Sequence, residues 1–367
     1  MRLLLMRLRT FATLASSVLA LTACARAPDP EPVAGAIPAE LHGTVARVQV
    51  PGPSLMRNVI GDSTTRSALV YLPPTYASSP ERRYPVVYLL HGFGDNPEMW
   101  ENGRFQKLKV SEAMDSLAKA GVAREMIVVM PNARNAYGGS FYVNSATTGN
   151  WEDWVARDLV GFMDRTYRTK ARRESRAVMG LSMGGFGALN LAFHRSDVFA
   201  NVYAHSPCCL DFARDTSQAA AYRALAAAKD RAQIRAMGFF PMALSAIGAA
   251  ASPNPAKPPL FMDLPYVVGA DGAIEADTGV LFKWRAATPL GAFDRNLRGA
   301  RKLHAIGIEA GDADAFKDIP ILAPKLAAAL ATAGVANQFE GFKGGHTDHF
   351  RERFVTRGVP FISKALR

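Results

Sequence analysis

Short runs of apolar residues recur through the middle of the chain, and each is followed by a stretch with apolar residues at helical spacing. Several runs are predicted to be buried strands: residues 85–90, 126–130, 176–179 and 199–204. Several later stretches are predicted to be helices: residues 105–120, 151–167 and 183–194. This alternation predicts an α/β fold with a mostly parallel central sheet and helices on both faces.

The same pattern extends toward both ends of the predicted domain, which covers residues 41–367. Extended segments are predicted at 43–50 and within 58–72, ahead of the first buried run. After residue 300 the pattern predicts a strand, a helix, a strand and a helix: residues 302–309, 320–333, 335–342 and the stretch after 347.

Between residues 211 and 300 the strand–helix pattern breaks down. Helical spacing is present over 219–236, residues 252–265 are rich in proline and apolar side chains, and a polar loop is predicted to lead to Trp284. We interpret this segment as an insertion that forms a cap over the active-site edge, before the penultimate strand. A long irregular loop without contact to substrate is the alternative interpretation.

The first 23 residues have the pattern of an export signal. Arg2, Arg7 and Arg9 precede an apolar stretch over 11–21, which is short for a membrane span. Leu21-Thr22-Ala23-Cys24 resembles the lipobox of bacterial lipoproteins, and this resemblance implies cleavage before Cys24 and lipidation of that residue. Because Ala25 is not the aspartate associated with inner-membrane retention, we expect an outer-membrane lipoprotein; cleavage after Ala25 and secretion into the periplasm is the alternative.

Residues 24–40 are rich in proline and alanine and show no periodicity, so we expect a tether between the anchor and the domain. The net charge is +11, or +8 (11 − 3) without the arginines of the signal, and we find no motif for nucleic-acid binding.

The chain has 3 cysteines, too few for a disulfide framework. We expect Cys208 and Cys209 to be free thiols, since adjacent cysteines can bridge only through a strained ring, and they are candidates for lining the pocket.

A G-x-S-x-G pattern, formed by Gly180, Ser182 and Gly184, lies between the strand predicted at 176–179 and the helix predicted at 183–194. A serine at such a turn is typical of the nucleophile elbow of the α/β-hydrolase fold, and we predict that Ser182 is the nucleophile. An ordinary serine in a glycine-rich turn is the alternative.

Two backbone N–H groups are predicted to form an oxyanion hole. The first belongs to Met183, the residue after Ser182, and the second belongs to Phe93, which follows the strand predicted at 85–90. His91 suits a structural hydrogen bond better than a role as base.

In this fold the acid follows the next-to-last strand and the histidine follows the last. Asp312 and Asp314 both follow the strand predicted at 302–309, and spacing alone does not choose between them. We favour His346 over His349 as the base, because Gly344 and Gly345 place it on a loop, whereas His349 lies within a predicted helix.

Several motifs together resemble the esterase D-type "putative esterase" family, which includes S-formylglutathione hydrolases, feruloyl esterases and the antigen 85 mycolyltransferases. They are Tyr88-Leu89-Leu90-His91-Gly92, Trp151-Glu152-Asp153-Trp154, Gly180-Leu181-Ser182-Met183-Gly184-Gly185 and the late Gly344-Gly345-His346. The resemblance runs from about residue 43 to the end. It implies that Asp314 is the acid, His346 the histidine, and that Trp151, Tyr142 and Asn144 lie near the substrate; packing of a long loop is the alternative for these three.

The sequence therefore predicts a serine carboxylesterase that acts on a small-molecule or cell-envelope ester and uses no metal or organic cofactor. An acyltransferase with the same Ser182, His346 and Asp314 is one alternative, in which the insertion would hold an acyl chain. A lipoprotein that keeps the fold only for binding is the other.

Overall fold

The computed structural model describes residues 37–212 and 218–367. The strands, in chain order, are β1 (Thr44–Pro51), β2 (Thr65–Leu72), β3 (Val86–Leu90), β4 (Ile127–Pro131), β5 (Asn144–Ser145), β6 (Gly149–Asn150), β7 (Arg176–Leu181), β8 (Asn201–His205), β9 (Tyr266–Val268), β10 (Ile274–Ala276), β11 (Ala305–Gly311) and β12 (Gln338–Phe342). The 8-stranded central sheet has the order β1-β2-β4-β3-β7-β8-β11-β12, while β5–β6 and β9–β10 form separate two-stranded ribbons.

Only the first strands of the central sheet are antiparallel: β1 pairs with β2, and β2 with β4, in opposite directions. The strands from β4 to β12 all run parallel to their neighbours. The mostly parallel sheet predicted from the apolar runs is therefore confirmed. Because parallel strands end at a common edge, the loops after β3, β7, β11 and β12 lie on one side of the sheet.

The α-helices, in chain order, are α1 (Val110–Lys119), α2 (Trp151–Asp153), α3 (Val160–Thr166), α4 (Met183–His194), α5 (Ala219–Ala227), α6 (Arg231–Ala236), α7 (Phe239–Ala251), α8 (Thr278–Ala286), α9 (Phe293–Ala300), α10 (Ile319–Thr332), α11 (Phe350–Arg353) and α12 (Val359–Ala365). A π-helical segment, Trp154–Leu159, joins α2 to α3, and another, Phe354–Gly358, joins α11 to α12.

Strand β3 illustrates why the sheet is covered on both faces. All of its residues are buried. Val86, Tyr88 and Leu90 belong to one hydrophobic cluster, whereas Val87 and Leu89 belong to another on the opposite face. Each apolar side chain removed from water in this way contributes about 1.5–3 kcal/mol, so a continuous apolar run is stable only as a strand between two layers of helices.

Two predicted helices differ from those observed. The helix predicted over 105–120 begins only at Val110, because Gln106 and Lys107 adopt left-handed backbone angles, with φ of 49° and 56°. The single helix predicted over 219–236 is divided between α5 and α6, because Asp230 caps a new helix by accepting the N–H of Gln233.

The insertion at 211–300 contains more regular structure than the sequence predicted. Trp284 lies in helix α8, whose start is capped by Asp277, and the residues before it form the β9–β10 ribbon; the predicted polar loop is therefore wrong. The Trp284 indole is fully buried and donates to Ser252 Oγ over 2.7 Å. In the described part of the chain no helix is both long and apolar enough to cross a bilayer.

Candidate active site

The Ser182 elbow lies between β7 and α4. Ser182 has φ 60° and ψ −118°, a strained conformation for a residue with a side chain. A Cβ at Gly180 would overlap the carbonyl oxygen of Gly184, and a Cβ at Gly184 would overlap that of Leu90, so both glycines are required by close approach of the backbone. Among the described residues no hydrogen bond engages the Ser182 hydroxyl, which leaves it free for chemistry.

The backbone around Ser182 is held by its neighbours in the sheet. Its N–H donates to the carbonyl of His205, at the end of β8, over 3.0 Å. On the other side the loop after β3 packs against it, since a Cβ at Gly92 would lie 3.6 Å from Ser182 Cβ. The elbow is thus fixed from two adjacent strands, as required for a preorganised nucleophile.

The side chains of the two residues predicted to supply the oxyanion donors, Met183 and Phe93, lie beside each other. A Cβ at Gly139 would lie 2.5 Å from the sulfur of Met183 and 2.8 Å from the ring of Phe93, so both residues border the same small space. Within the described residues neither backbone N–H has a backbone acceptor, and Met183 is the first residue of α4, where N–H groups are unpaired. Both donors are available for a developing negative charge.

His346 and Asp314 are brought together by the loops after β12 and β11. His346 Nδ1 lies 2.8 Å from Asp314 Oδ2, and Asp314 Oδ1 accepts the N–H of Phe316 over 2.8 Å. The Asp314 side chain is fully buried, and that of His346 is 16% exposed. A carboxylate held from both sides fixes the imidazole with Nδ1–H toward Asp314, which leaves Nε2 as the proton acceptor.

The structure shows which of the two candidate aspartates contacts His346, a choice that spacing in the sequence left open. Asp312 is directed toward Lys343, whose Nζ lies 2.6 Å away, and it is 45% exposed. The hydrogen bond from Lys343, followed by that from the Gly344 N–H, lowers the pKa of Asp312. Asp312 therefore belongs to an exposed ion pair, and it is Asp314 that contacts the imidazole.

The two candidate histidines also lie in different surroundings. His349 is 56% exposed and is 3.5 Å from Glu352, away from Asp314. The loop between the histidines is tethered by Gln106, whose side chain donates to the carbonyl of Thr347 and accepts the N–H of Arg351. Sequence analysis missed this tether, because nothing in the pattern marks the left-handed turn that aims Gln106 at the loop.

His91 has the structural contacts expected for it. The Ala133 N–H donates to its Nε2 over 3.0 Å, so Nδ1 carries the proton and donates to the Gly92 carbonyl over 2.8 Å. The ring is fully buried, and burial lowers the pKa of His91 to about 4. A neutral imidazole therefore supports the loop that carries Phe93.

The three residues predicted to lie near substrate make contacts typical of packing. Trp151 is fully buried and donates to the Thr148 carbonyl over 2.8 Å, and Tyr142 is fully buried and donates to the His91 carbonyl over 3.0 Å. Asn144 is exposed and accepts the Asp153 N–H. Packing is the alternative that the sequence left open, and substrate contact by these residues remains a prediction.

A buried ionic cluster beneath the site was not anticipated. The Glu309 carboxylate accepts from His205 Nδ1, from the Tyr203 hydroxyl over 2.7 Å and from Arg353 over 2.8 and 3.0 Å. Burial alone would raise the pKa of Glu309, but attraction and hydrogen bonding by these partners outweigh it and lower the pKa to about 2. The cluster joins β8, β11 and α11, and His205 in turn holds the Ser182 backbone.

Cys208 and Cys209 are free thiols in the described structure, as expected, and the N–H of Cys208 approaches the Ser182 carbonyl at 3.4 Å. Burial and the neighbouring Cys208, which is hydrogen-bonded to it, raise the pKa of Cys209; the contact with Cys208 is the larger cause. In the part of the chain that the structure describes, no group of histidine, cysteine and acidic side chains could hold a metal ion. Cys24, with the rest of the predicted signal, lies outside the described residues.

Comparison with known proteins points to one family. Residues 63–239 match the family model described as "Putative esterase". The chain is 34% identical over 141 residues to an esterase of Mycobacterium tuberculosis, covering 37% of this chain and 28% of that protein. It is 33% identical over 144 residues to an endo-1,4-beta-xylanase/feruloyl esterase of Xylanibacter ruminicola, covering 36% of this chain and 18% of that protein. The chain thus matches under two thirds of the length of either relative.

Solved structures agree at the level of the fold. A ferulic acid esterase has a TM-score of 0.59 at 24% identity and covers 89% of this chain and 100% of its own. The S-formylglutathione hydrolase of Staphylococcus aureus has a TM-score of 0.55 at 15% identity and covers 88% of this chain and 99% of its own. The sequence match over 63–239 confirms the predicted resemblance to the putative esterase family, and the solved structures confirm the α/β-hydrolase fold.

Proposed function

We propose that the chain is a serine carboxylesterase that hydrolyses carboxylic esters through Ser182, His346 and Asp314. The observation that carries the proposal is the Asp314–His346 pair, with Asp314 fully buried and 2.8 Å between Nδ1 and Oδ2, at the sheet edge where the strained, half-buried Ser182 also lies. Relatives and structural neighbours that are named as esterases and serine hydrolases support it.

In the first step Ser182 Oγ attacks the ester carbonyl while His346 Nε2 takes the hydroxyl proton. The carbonyl oxygen becomes an anion, which accepts hydrogen bonds from the N–H groups of Met183 and Phe93; removing one such donor typically costs about 3 kcal/mol. Asp314 stabilises the imidazolium that forms and does not itself take the proton.

The tetrahedral intermediate then collapses. His346 returns its proton to the leaving oxygen, the carbon–oxygen bond breaks, and the alcohol departs, which leaves the acyl group on Ser182. Water enters next to His346, gives a proton to Nε2 and attacks the acyl carbon. As the bond between the acyl carbon and Ser182 Oγ breaks, His346 gives that proton to Ser182 Oγ and the acid is released, so the hydroxyl is restored and one water is consumed for each ester cleaved.

The test is hydrolysis of p-nitrophenyl acetate by wild-type protein and by Ser182→Ala. We expect kcat/KM to fall by about 10⁴-fold or more in the variant. Ser116→Ala, at an exposed serine in α1 that donates only to the Glu112 carbonyl, is the matched control and should retain full activity. Equal activity of the Ser182 variant would refute the proposal.

Acyl transfer by the same residues is tested by the products. With an added alcohol acceptor, hydrolysis predicts free acid as the main product, because water resolves the acyl-enzyme. If the ester of the added alcohol is instead the dominant product, the proposed activity would be acyl transfer and not hydrolysis.

We further propose that the protein is exported and held at the outer membrane by lipid on Cys24. The support is the sequence of the signal and its lipobox-like end. A fatty acid supplied to growing cells should label the wild-type protein and should not label Cys24→Ala. Unlabelled wild-type protein would favour secretion without an anchor.

A further inference from the structure

Phenylalanine rings form a continuous path between the oxyanion loop and the catalytic histidine. The Phe316 ring packs edge-on against His346, with centroids 4.7 Å apart and planes at 70°. Phe316 also contacts Phe239, at 5.7 Å, and Phe240, at 6.2 Å. Phe239 in turn packs edge-on against Phe93, at 5.5 Å. The rings of two α7 residues therefore bridge the two sides of the proposed site.

A second contact fixes the start of α7 at this position. A Cβ at Gly138 would lie 3.0 Å from the Phe93 ring and 3.5 Å from the terminal methyl of Met242, one helical turn after Phe239. Farther along, Ser145 Oγ donates to the carbonyl of Ala249 over 2.6 Å. The helix is thus anchored to the main domain at both places, and its first turn is held against the oxyanion loop.

The side chains of Phe239 and Phe240, at the start of α7, are exposed, whereas most later residues of α7 are buried. Phe239 and Phe240 are 46% and 48% exposed, whereas Ala246, Ile247 and Ala249 of the same helix are buried. Neighbouring apolar rings that are left half in water beside a reactive site are typical of a surface that a ligand covers.

The chemistry decides which part of an ester meets these rings. His346 protonates the leaving oxygen, so that oxygen lies beside the imidazole when the ester is bound. A group attached to it can extend along Phe316, the ring that contacts the imidazole, and reach the α7 aromatic pair that packs against Phe316.

Resting on the proposed esterase function, we propose that Phe239, Phe240 and Phe316 form a subsite for the alcohol portion of the substrate. The subsite takes aryl or medium-length alkyl groups. The substrate class is therefore esters of apolar alcohols, and the insertion supplies the residues that select them.

The experiment compares acetates that differ only in the alcohol. Acetate release from methyl acetate and from benzyl acetate is measured for wild type, for the double variant Phe239→Ala/Phe240→Ala and for Phe282→Ala. Phe282 is a control from the same insertion, 72% exposed on α8. We expect wild type to prefer benzyl acetate, and the double variant to lose about 10- to 100-fold of that preference, measured as the ratio of kcat/KM for benzyl acetate to kcat/KM for methyl acetate.

The control variant should keep the wild-type preference. An unchanged preference in the double variant, or an equal loss in Phe282→Ala, would overturn the subsite. So would a loss that appears instead among methyl esters of longer acids, since the rings would then hold the acyl group.

A measurement without turnover separates this proposal from the proposed function. Saturation-transfer NMR of benzyl alcohol should show contact with wild type and with Ser182→Ala, and a weaker signal with the double variant. Inactivity of wild type on every ester would end the esterase proposal while leaving this result to decide the subsite. Equal signals from all variants would overturn the subsite alone.

Discussion

The edge of the central sheet and the insertion at 211–300 are built in different ways. At the edge, β7 and β8 are buried along their whole length, and the loops after β11 and β12 place Asp314 Oδ2 2.8 Å from His346 Nδ1. The insertion buries Trp284 but leaves Phe239, Phe240 and Phe282 between 46% and 72% exposed. A buried edge suits a fixed geometry for the proposed chemistry, whereas exposed aromatic side chains on the inserted helices suit the proposed choice between substrates.

The largest effect expected at the edge comes from the histidines after β12. His346→Ala should lower kcat/KM for p-nitrophenyl acetate by about 10⁴-fold or more, because His346 Nε2 is the proposed acceptor of the Ser182 proton. His349→Ala, at an exposed side chain three residues later, should stay within about twofold of wild type. Steady-state kinetics of both variants test the choice of His346 over His349. A large decrease in kcat/KM in His349→Ala together with a small one in His346→Ala would contradict it.

The aspartates after β11 give the next comparison. Asp314→Asn should lower kcat by about 10³- to 10⁴-fold, because the amide no longer stabilises the imidazolium and favours the wrong tautomer. Asp312→Asn loses only an exposed ion pair with Lys343 and should remain within about twofold. Similar losses in the two variants would show that the Asp314–His346 contact does not carry the chemistry.

The buried ionic cluster around Glu309, beneath the sheet edge, is tested by its effect on the free energy of unfolding. Glu309→Gln leaves Arg353 without its buried anionic partner and should lower the free energy of unfolding by about 3 kcal/mol in urea. Glu340→Gln, at a carboxylate 30% exposed that also pairs with Arg353, is the control and should lower it far less. Equal stability of wild type and Glu309→Gln would contradict the importance of the cluster.

The last predicted effect, similar in size to that of Glu309→Gln, is a dependence of stability on pH. Since burial lowers the pKa of His91 to about 4 in the folded state, the unfolded chain binds more protons between pH 6.5 and 4. The free energy of unfolding should therefore fall as pH drops through this range, by about 3 kcal/mol from this residue. His91→Gln should lack this part of the fall, and parallel curves for the two proteins would be inconsistent with a buried neutral imidazole.

The sequence was sufficient for most of the sheet because a fully apolar run has few ways to be buried. It also located the strained turn at Ser182, since glycines at 180 and 184 are needed where the backbones approach so closely. It could not separate Asp312 from Asp314 without a family resemblance, because both follow one strand by a few residues and the turn decides which is buried. The left-handed turn at Gln106 and Lys107 was likewise invisible to periodicity.

The insertion was harder to predict for a physical reason. Its helices pack against the main domain through contacts distant in sequence, such as the Asn190 amide donating to the Ala287 carbonyl over 3.0 Å. Its apolar residues therefore follow the shape of the partner surface and not a simple period. The aromatic path from Phe93 to Phe316 became visible only once the fold brought its members together.

Covalent labelling by a fluorophosphonate tests the central claim most directly, because it reports whether the Ser182 hydroxyl is activated by His346. Mass spectrometry of digested protein should place the adduct on the peptide that contains Ser182 in wild type. We expect no adduct in Ser182→Ala, and slow labelling in His346→Ala while His349→Ala labels at the wild-type rate. Full labelling of Ser182→Ala, or of His346→Ala at the wild-type rate, would contradict the account.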